Sequence, residues 1–346
     1  MTRLGERLIR RIAEAGPISI ADYMTACLHD PEDGYYATRP ALGDRGDFIT
    51  APLVSQMFGE LIGLWAAEVW RGMGAPPAFT LAEFGPGDGT MMADMLRAGR
   101  AAPGFAEAAE VWLVETSEPL IALQAKALRD RRLRWAAALD ELPDDRPLIA
   151  VGNEFLDCLP IQQAVKTPDG WRRRCVGLGA GELTFVEGPR IGPADDVEPG
   201  LILERSLPLE AFGRALGARL ARGSGAALFI DYGYPAPAYG DTLQAVRRHR
   251  REPPLANPGE ADLTAWVNFP DFMSAAVEGG VVAEPLESQA DFLRRMGLRE
   301  RSRALSRLNP LAIDRLRRQR RRLEADSEMG RSFKVSALRS PSLSLP

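Results

Sequence analysis

Leu81-Ala82-Glu83-Phe84-Gly85-Pro86-Gly87-Asp88-Gly89-Thr90 is the stretch from which the fold of this chain is read. An apolar run from Phe79 to Phe84 enters glycines at alternate positions, and a helical pattern begins near Met91. Glycine takes positive φ without strain and puts no Cβ between the backbone and a ligand. The spacing is G-x-G-x-G behind an acid, not the G-x-G-x-x-G whose loop cradles a pyrophosphate. Glu83 at the strand end and Asp88 in the turn set two carboxylates where they repel a pyrophosphate and suit an amino-acid ammonium and a sulfonium. The loop reads as a site for S-adenosylmethionine, with Gly85, Pro86, Gly87 and Gly89 admitting the cofactor and Glu83 and Asp88 meeting its ammonium. An ordinary strand-to-helix turn is the alternative that the loop alone leaves open.

The next apolar run, Glu110-Val111-Trp112-Leu113-Val114-Glu115, also ends in an acid, 26 residues beyond Gly89. That separation leaves room for one helix and a return, so Glu115 is expected at the tip of the second strand, where a carboxylate accepts from ribose hydroxyls. Thr116 adjoins it. Trp135 to Asp140 is the candidate adenine pocket, with Asp140 at the tip of a third strand or simply a solvated acid.

Working outward, strands and helices alternate from residue 79: strands at 79–84, 110–115, 133–137 and 147–152, with helices at 90–99 and 118–130. This is the rhythm of a parallel, doubly wound α/β sheet. It breaks between 161 and 205, where three β-like runs separated by Pro168-Asp169-Gly170 and Gly179-Ala180-Gly181 predict an inserted β-meander. Helix 207–221 and strand 226–231 resume the core. A loop-rich stretch (232–258) then precedes helices at 262–278, 288–297 and 310–324. Before the sheet, residues 1–75 read as a helical cap with helices at 3–15, from Ser19 to Leu28, and at 54–71. Within the cap, the glycine- and aspartate-rich loop 34–50 is expected to close over the site, because a long loop without structure of its own is uncommon unless it is a lid. The expected domains are therefore 1–75 and 76–346, the second carrying the insertion at about 161–205.

Composition narrows the function. The 346 residues carry 43 basic and 47 acidic side chains, a net charge of −4, which lacks the overall basic footprint of a nucleic-acid binder. No apolar run reaches membrane-spanning length. The start lacks a signal peptide, and Glu6 and Glu14 argue against a transit peptide. Three cysteines without C-x-x-C spacing and only two histidines make a structural zinc site unexpected, and a reduced, bacterial cytoplasmic setting is expected. The run Arg315, Arg317, Arg318, Arg320, Arg321 and Arg322 reads as the solvated face of a helix with Ile313, Leu316 and Leu323 inward; the aromatic residues that stack on bases are missing from it.

The fourth strand leads into Asn153-Glu154-Phe155-Leu156-Asp157. Ligands of open α/β sheets sit beyond the carboxyl ends of the strands, so Asn153 and Glu154 are expected to face the methyl acceptor while Glu83 and Glu115 face the cofactor. A guanidinium acceptor needs carboxylates to fix its plane and offset its charge. Glu154 and Asp157 are candidates for that clamp, with Asn153 beside them. A helix cap for Asp157 and a backbone-bonded strand end for Asn153 are the alternatives. Thr50 and Asn153 complete the expected cofactor set.

With these residues in view, the chain resembles the MidA-like family, related to the mitochondrial complex I assembly protein that methylates arginine. The shared motifs run from Gly16-Pro17-Ile18-Ser19, Tyr23-Met24 and Gly34-Tyr35-Tyr36 through Gly46-Asp47-Phe48-Ile49-Thr50-Ala51-Pro52 and Ser55-Gln56-Met57-Phe58-Gly59-Glu60. The glycine loop, Asn153-Glu154-Phe155, Asp231-Tyr232-Gly233 and Gly240-Asp241-Thr242-Leu243-Gln244-Ala245 continue them. Asn257-Pro258-Gly259-Glu260-Ala261-Asp262-Leu263-Thr264 and Phe333-Lys334-Val335 complete them. The resemblance implies a class I methyltransferase core with S-adenosylmethionine as cofactor. It also implies a protein substrate methylated on arginine, as in a respiratory-chain subunit, with a role in complex assembly; a homodimer is expected, and neither nucleic acid nor a membrane span. Four positions depart from the family pattern: Leu53 for a usual Glu, Tyr234 for His, and Trp266 and Asn268 for His and Asp. If those groups recognise the acceptor, the alternative is an S-adenosylmethionine-binding assembly factor with weak or no catalysis.

Overall fold

A computed structural model describes residues 1–38, 50–129, 132–193 and 196–345. The chain forms two compact units, each assembled from three separate segments. The first comprises residues 1–48, 157–210 and 236–268, and the second 49–156, 211–235 and 269–346.

The second unit is built on one sheet. The strands along its main path, named in chain order, are β1 (Phe79–Phe84), β2 (Ala109–Val114), β3 (Leu133–Ala136), β4 (Leu148–Asn153), β5 (Gly225–Tyr234), β6 (Val282–Ala283) and β7 (Phe333–Arg339). Their spatial order is β3-β2-β1-β4-β5-β7-β6. The pairs from β3 to β5 are all parallel, whereas β7 runs antiparallel to both β5 and β6. A parallel sheet has to be covered on both faces, and β1 and β4 are accordingly buried at every residue. On one face helix Gln56–Gly72 packs against helix Thr90–Gly99 so closely that a Cβ on Gly63 would lie 2.5 Å from the Met95 carbonyl oxygen. Phe84, Phe155, Phe212, Phe229 and Phe272 form a second, aromatic cluster, with ring centroids 5.2–6.2 Å apart. This is the doubly wound α/β core that the alternation of elements predicts. Among the described residues no helix is long and apolar enough to cross a membrane.

Helix Gln56–Gly72 corrects one boundary. Expected with a cap ending at residue 75, it belongs instead to the sheet unit, because its apolar face is buried against Met91, Met92 and Met95. The helix expected over 262–278 begins only at Phe269–Pro270, proline being suited to the first helical turn, while Asp262–Thr264 form a strand.

The first unit holds the expected meander, an antiparallel sheet of Gln162–Thr167, Gly170–Gly179, Glu182–Gly192 and Ile202–Arg205, to which Ile18–Ser19 adds an edge. Its helices begin where the sequence places caps. Thr2 Oγ1 accepts from the Gly5 amide at 3.0 Å, and Ser19 and Asp22 form a reciprocal capping box. Leu4, Leu8 and Ile12 turn inward with Ile20, Tyr23 and Met24. Residues 232–258, expected to be loop, contain the hairpin Gln244–Arg247 and Arg250–Glu252, to which Asp262–Thr264 adds a third strand. Of the proposed lid at 34–50, Tyr35–Thr38 is a short helix, and residues 39–49 lie outside the described residues.

Candidate active site

The site is built at the carboxyl ends of β1, β2 and β4, all in the sheet unit. Past Phe84 the chain turns through Gly85, Gly87 and Gly89, whose φ values of 62°, 55° and 85° are those glycine adopts most easily. The turn is tied down by its backbone: the Gly85 amide donates to the Val114 carbonyl at 3.1 Å, and the Gly89 amide to that of Pro86 at 2.9 Å. Asp88 Oδ1 accepts from the Thr90 amide at 2.9 Å and so opens helix Thr90–Gly99.

Glu83 is only 2% exposed, and its Oε2 has no hydrogen-bond partner. Burial holds its carboxyl well above the ordinary carboxylate range, the Asp88 charge adds to the effect, and the Met92 amide opposes it. A buried acceptor without a donor, beside a second carboxylate, is a place for a cation.

Glu115 is the first residue past β2. Its Oε1 accepts from the Thr116 and Ser117 amides, both at 2.8 Å, in the turn that leads into helix Glu118–Ala127. Burial raises its carboxyl, and the Ser117, Thr116 and Gln124 donors counteract this. Sequence reasoning missed Gln124. Fully buried, it donates from Nε2 to the Gly87 carbonyl at 2.9 Å and to Glu115 Oε2 at 3.3 Å, while its Oε1 accepts from Trp135 Nε1 at 2.8 Å. One amide thus joins the glycine turn, the second-strand acid and the third strand. Asp140 is exposed in a short 3₁₀ turn, and the carboxylate that folds back there is Glu141, accepting from the Ala137 amide at 2.8 Å.

At the end of β4 the backbone turns sharply. Glu154 has φ 52°, a left-handed conformation uncommon for a residue with a side chain. Its Oε1 accepts from Asn153 Nδ2 at 3.1 Å and from the Ala51 amide at 3.3 Å, while Asn153 Oδ1 is buried without a partner. Thr50, also buried, precedes helix Ala51–Val54 and accepts at its carbonyl from the Leu53 and Val54 amides. Asp231, fully buried within β5, which runs on to Tyr234 past its expected end, holds the turn: its Oδ2 accepts from the Phe155 and Leu156 amides at 3.1 and 2.9 Å. An acid at the end of the expected strand 226–231 was the visible signal for it.

Asp157, the expected partner of Glu154, belongs to the first unit. There it is buried, and its backbone carbonyl accepts from the Ala265 amide at 2.9 Å. Burial, then Asp262, Cys158 and Asp157 raise the Tyr36 hydroxyl, which donates to Asp262 Oδ1 at 3.0 Å.

A parallel sheet whose first two strands end in acids around a three-glycine turn has the architecture of a class I methyltransferase. Comparison with known proteins agrees. Residues 61–285 match the S-adenosyl-L-methionine-dependent methyltransferase family. The mitochondrial protein arginine methyltransferase NDUFAF7 of Mus musculus is 33% identical to the chain, with 88% of the chain and 76% of the relative covered. That of Homo sapiens is also 33% identical with the same coverage. A crystal structure of a superfamily member from Burkholderia thailandensis bound to S-adenosyl-homocysteine superposes with a TM-score of 0.87 at 30% identity, covering 99% of this chain and 92% of that one. The chain belongs to this MidA-like family of S-adenosylmethionine-dependent methyltransferases.

Proposed function

We propose that the chain transfers a methyl group to a guanidinium nitrogen of an arginine in a protein substrate, a respiratory complex I-type subunit, in support of complex assembly. One observation carries the acceptor class. Asn153 Oδ1, buried without a partner, adjoins a Glu154 carboxylate already held in place by two donors. Two neighbouring acceptors match a group that has five N–H donors and no acceptor, which is arginine. The relatives named as protein arginine methyltransferases support the same class.

The cofactor supplies a methyl group on a positively charged sulfur. Glu83 and Asp88 hold its ammonium, the three glycines admit its backbone-like end, and Glu115, oriented by Gln124, accepts from ribose. Thr116, Asp140, Thr50 and Pro86 are assigned to the cofactor with them. Glu154 draws on one guanidinium N–H, offsets the positive charge and takes the proton released as nitrogen bonds to carbon. Asn153 fixes the guanidinium plane. Fixing that plane aligns the nitrogen lone pair with the carbon under attack.

Glu154→Gln tests the assignment. S-adenosylhomocysteine affinity in calorimetry is expected to stay unchanged while labelled methyl transfer to protein disappears; retained turnover would remove Glu154 from the chemistry. Mass spectrometry of respiratory-complex subunits, with and without the chain, then reads whether arginine gains the mass of a methyl group.

A further inference from the structure

Helices Leu298–Leu308 and Ile313–Glu324 form a hairpin in the sheet unit. It is firmly seated. Leu298, Leu316 and Leu323 enter the core, and Arg301 meets the buried Glu60 through two bonds of 2.7 and 2.8 Å. Its outer surface is unlike the rest of the chain. Residues 298–324 contain ten arginines and three carboxylates, a charge of +7 in a protein whose total is −4, leaving −11 elsewhere.

Between the two helices lies a cleft of about 530 Å³, lined by Ser302, Arg303, Ser306, Arg307, Arg317 and Arg320 among others. That volume is within the range of ligand-sized pockets. Arg307 has no carboxylate within 4 Å among the described residues, while Arg303, Arg317 and Arg320 meet only Glu300, Asp314 and Glu324 on their own helices, at 3.6–3.7 Å, and Glu324 is shared with Arg294 and Arg299. At the tip, Leu308 and Leu311 are 79% and 99% exposed. Guanidinium groups in excess of their carboxylates, next to two bare leucines, fit a partner that presents both carboxylates and apolar side chains. A nucleic acid offers no complement to the leucines, and the hairpin has no aromatic ring on which a base would stack.

The hairpin also leads to the reacting end of the sheet. Helix Ile313–Glu324 packs on Ala51–Val54, whose first amide donates to Glu154. We infer that this cleft docks an acidic, leucine-containing segment of the protein substrate and so holds the substrate near Glu154. The inference rests on the protein-methyltransferase reading above. Arginine forks bind carboxylates bidentately, so the contact selects for charge at a distance from the methylated residue.

The probe is a short fluorescein-labelled peptide alternating aspartate, glutamate and leucine, titrated with the full chain by anisotropy. Binding is expected to weaken with salt and to fall about tenfold or more in the Arg307→Glu, Arg317→Glu double variant. Both side chains are exposed, so the melting temperature and S-adenosylhomocysteine affinity are expected to stay unchanged. Equal peptide affinity in the double variant overturns the inference. So does preferential displacement of the peptide by duplex DNA or by phosphatidylserine vesicles. Arginine-dependent peptide capture by a chain that methylates no protein would support the docking surface and count against the reading on which it rests.

Discussion

Asp231 Oδ2 receives the Leu156 amide at 2.9 Å, so the fifth sheet strand fixes the turn that follows the fourth. The Phe155 amide reaches the same oxygen, and Asp231 Oδ1 takes the Tyr232 amide at 2.9 Å. The left-handed backbone at Glu154 is held open by this carboxylate rather than by a glycine.

Replacing Asp231 by alanine strands three amides, that of Leu156 buried and those of Phe155 and Tyr232 half-buried, and lets that turn relax. A loss of about 3 kcal/mol is expected in urea denaturation. Methyl transfer is expected to fall further than S-adenosylhomocysteine affinity, because the glycine turn on β1 is anchored separately.

Glu83 costs stability when it is charged. Its carboxyl is raised in the folded chain, so its contribution to stability is fully present below the ordinary carboxylate value and lost as pH rises through the raised one. Glu83→Gln is therefore expected to melt higher than the parent at about pH 8 and to match it near pH 4. The same substitution is expected to weaken S-adenosylmethionine binding. In the parent, affinity is expected to climb with pH as Glu83 gives up its proton; a flat profile in calorimetry would reassign the ammonium site.

Separate substitutions distinguish the bonds Glu115 makes to its own turn from the ribose role proposed for it. Glutamine keeps an oxygen for the Thr116 and Ser117 amides, whereas alanine removes both bonds. Glu115→Ala is expected to lower stability by about 1 kcal/mol, and each substitution to reduce S-adenosylhomocysteine affinity by about tenfold or more. Unchanged affinity in both variants would remove the ribose role.

Asp94 gives a pH test away from the cofactor. Burial, against the Arg97 contact at 2.7 Å, raises its carboxyl from 3.8 to about 6. Arg97 is itself 46% exposed and shares its charge with Glu60, so burial prevails. The stability Asp94 contributes below pH 4 is lost as pH rises through 6. Asp94→Asn is expected to be near neutral at low pH and stabilising by about 1–2 kcal/mol at pH 8, read from thermal melts.

The sequence made the glycine turn legible because its chemistry is local. Strand, acid and three glycines occupy eleven consecutive residues from Phe79 to Gly89, and the structure keeps them together. The start of the second helix at Ser19 was equally plain, since a cap is a local feature; the structure adds Asp22 as its reciprocal partner. Gln124 was not, because its three bonds reach residues 9, 11 and 37 positions away, and in sequence it is one polar residue on a modest helix. The Gln244–Glu252 hairpin was hidden by its turn. Arg248 and His249 take φ of 50° and 61° where Asn-Gly would announce the same geometry. Strand β7 was also missed as a strand, although Phe333-Lys334-Val335 stood out as a motif, because antiparallel pairing with β5 more than a hundred residues earlier leaves no local trace.

That last strand constrains how the protein is made. β7 is inserted between β5 and β6, pairing along seven residues of β5 from Ala226 to Tyr232. A nascent chain emerging from the ribosome thus carries β5 with a bare edge until residue 339 has been translated, and a bare edge invites pairing with another chain. A transcript cut short before that strand is expected to yield an aggregation-prone product rather than a smaller enzyme.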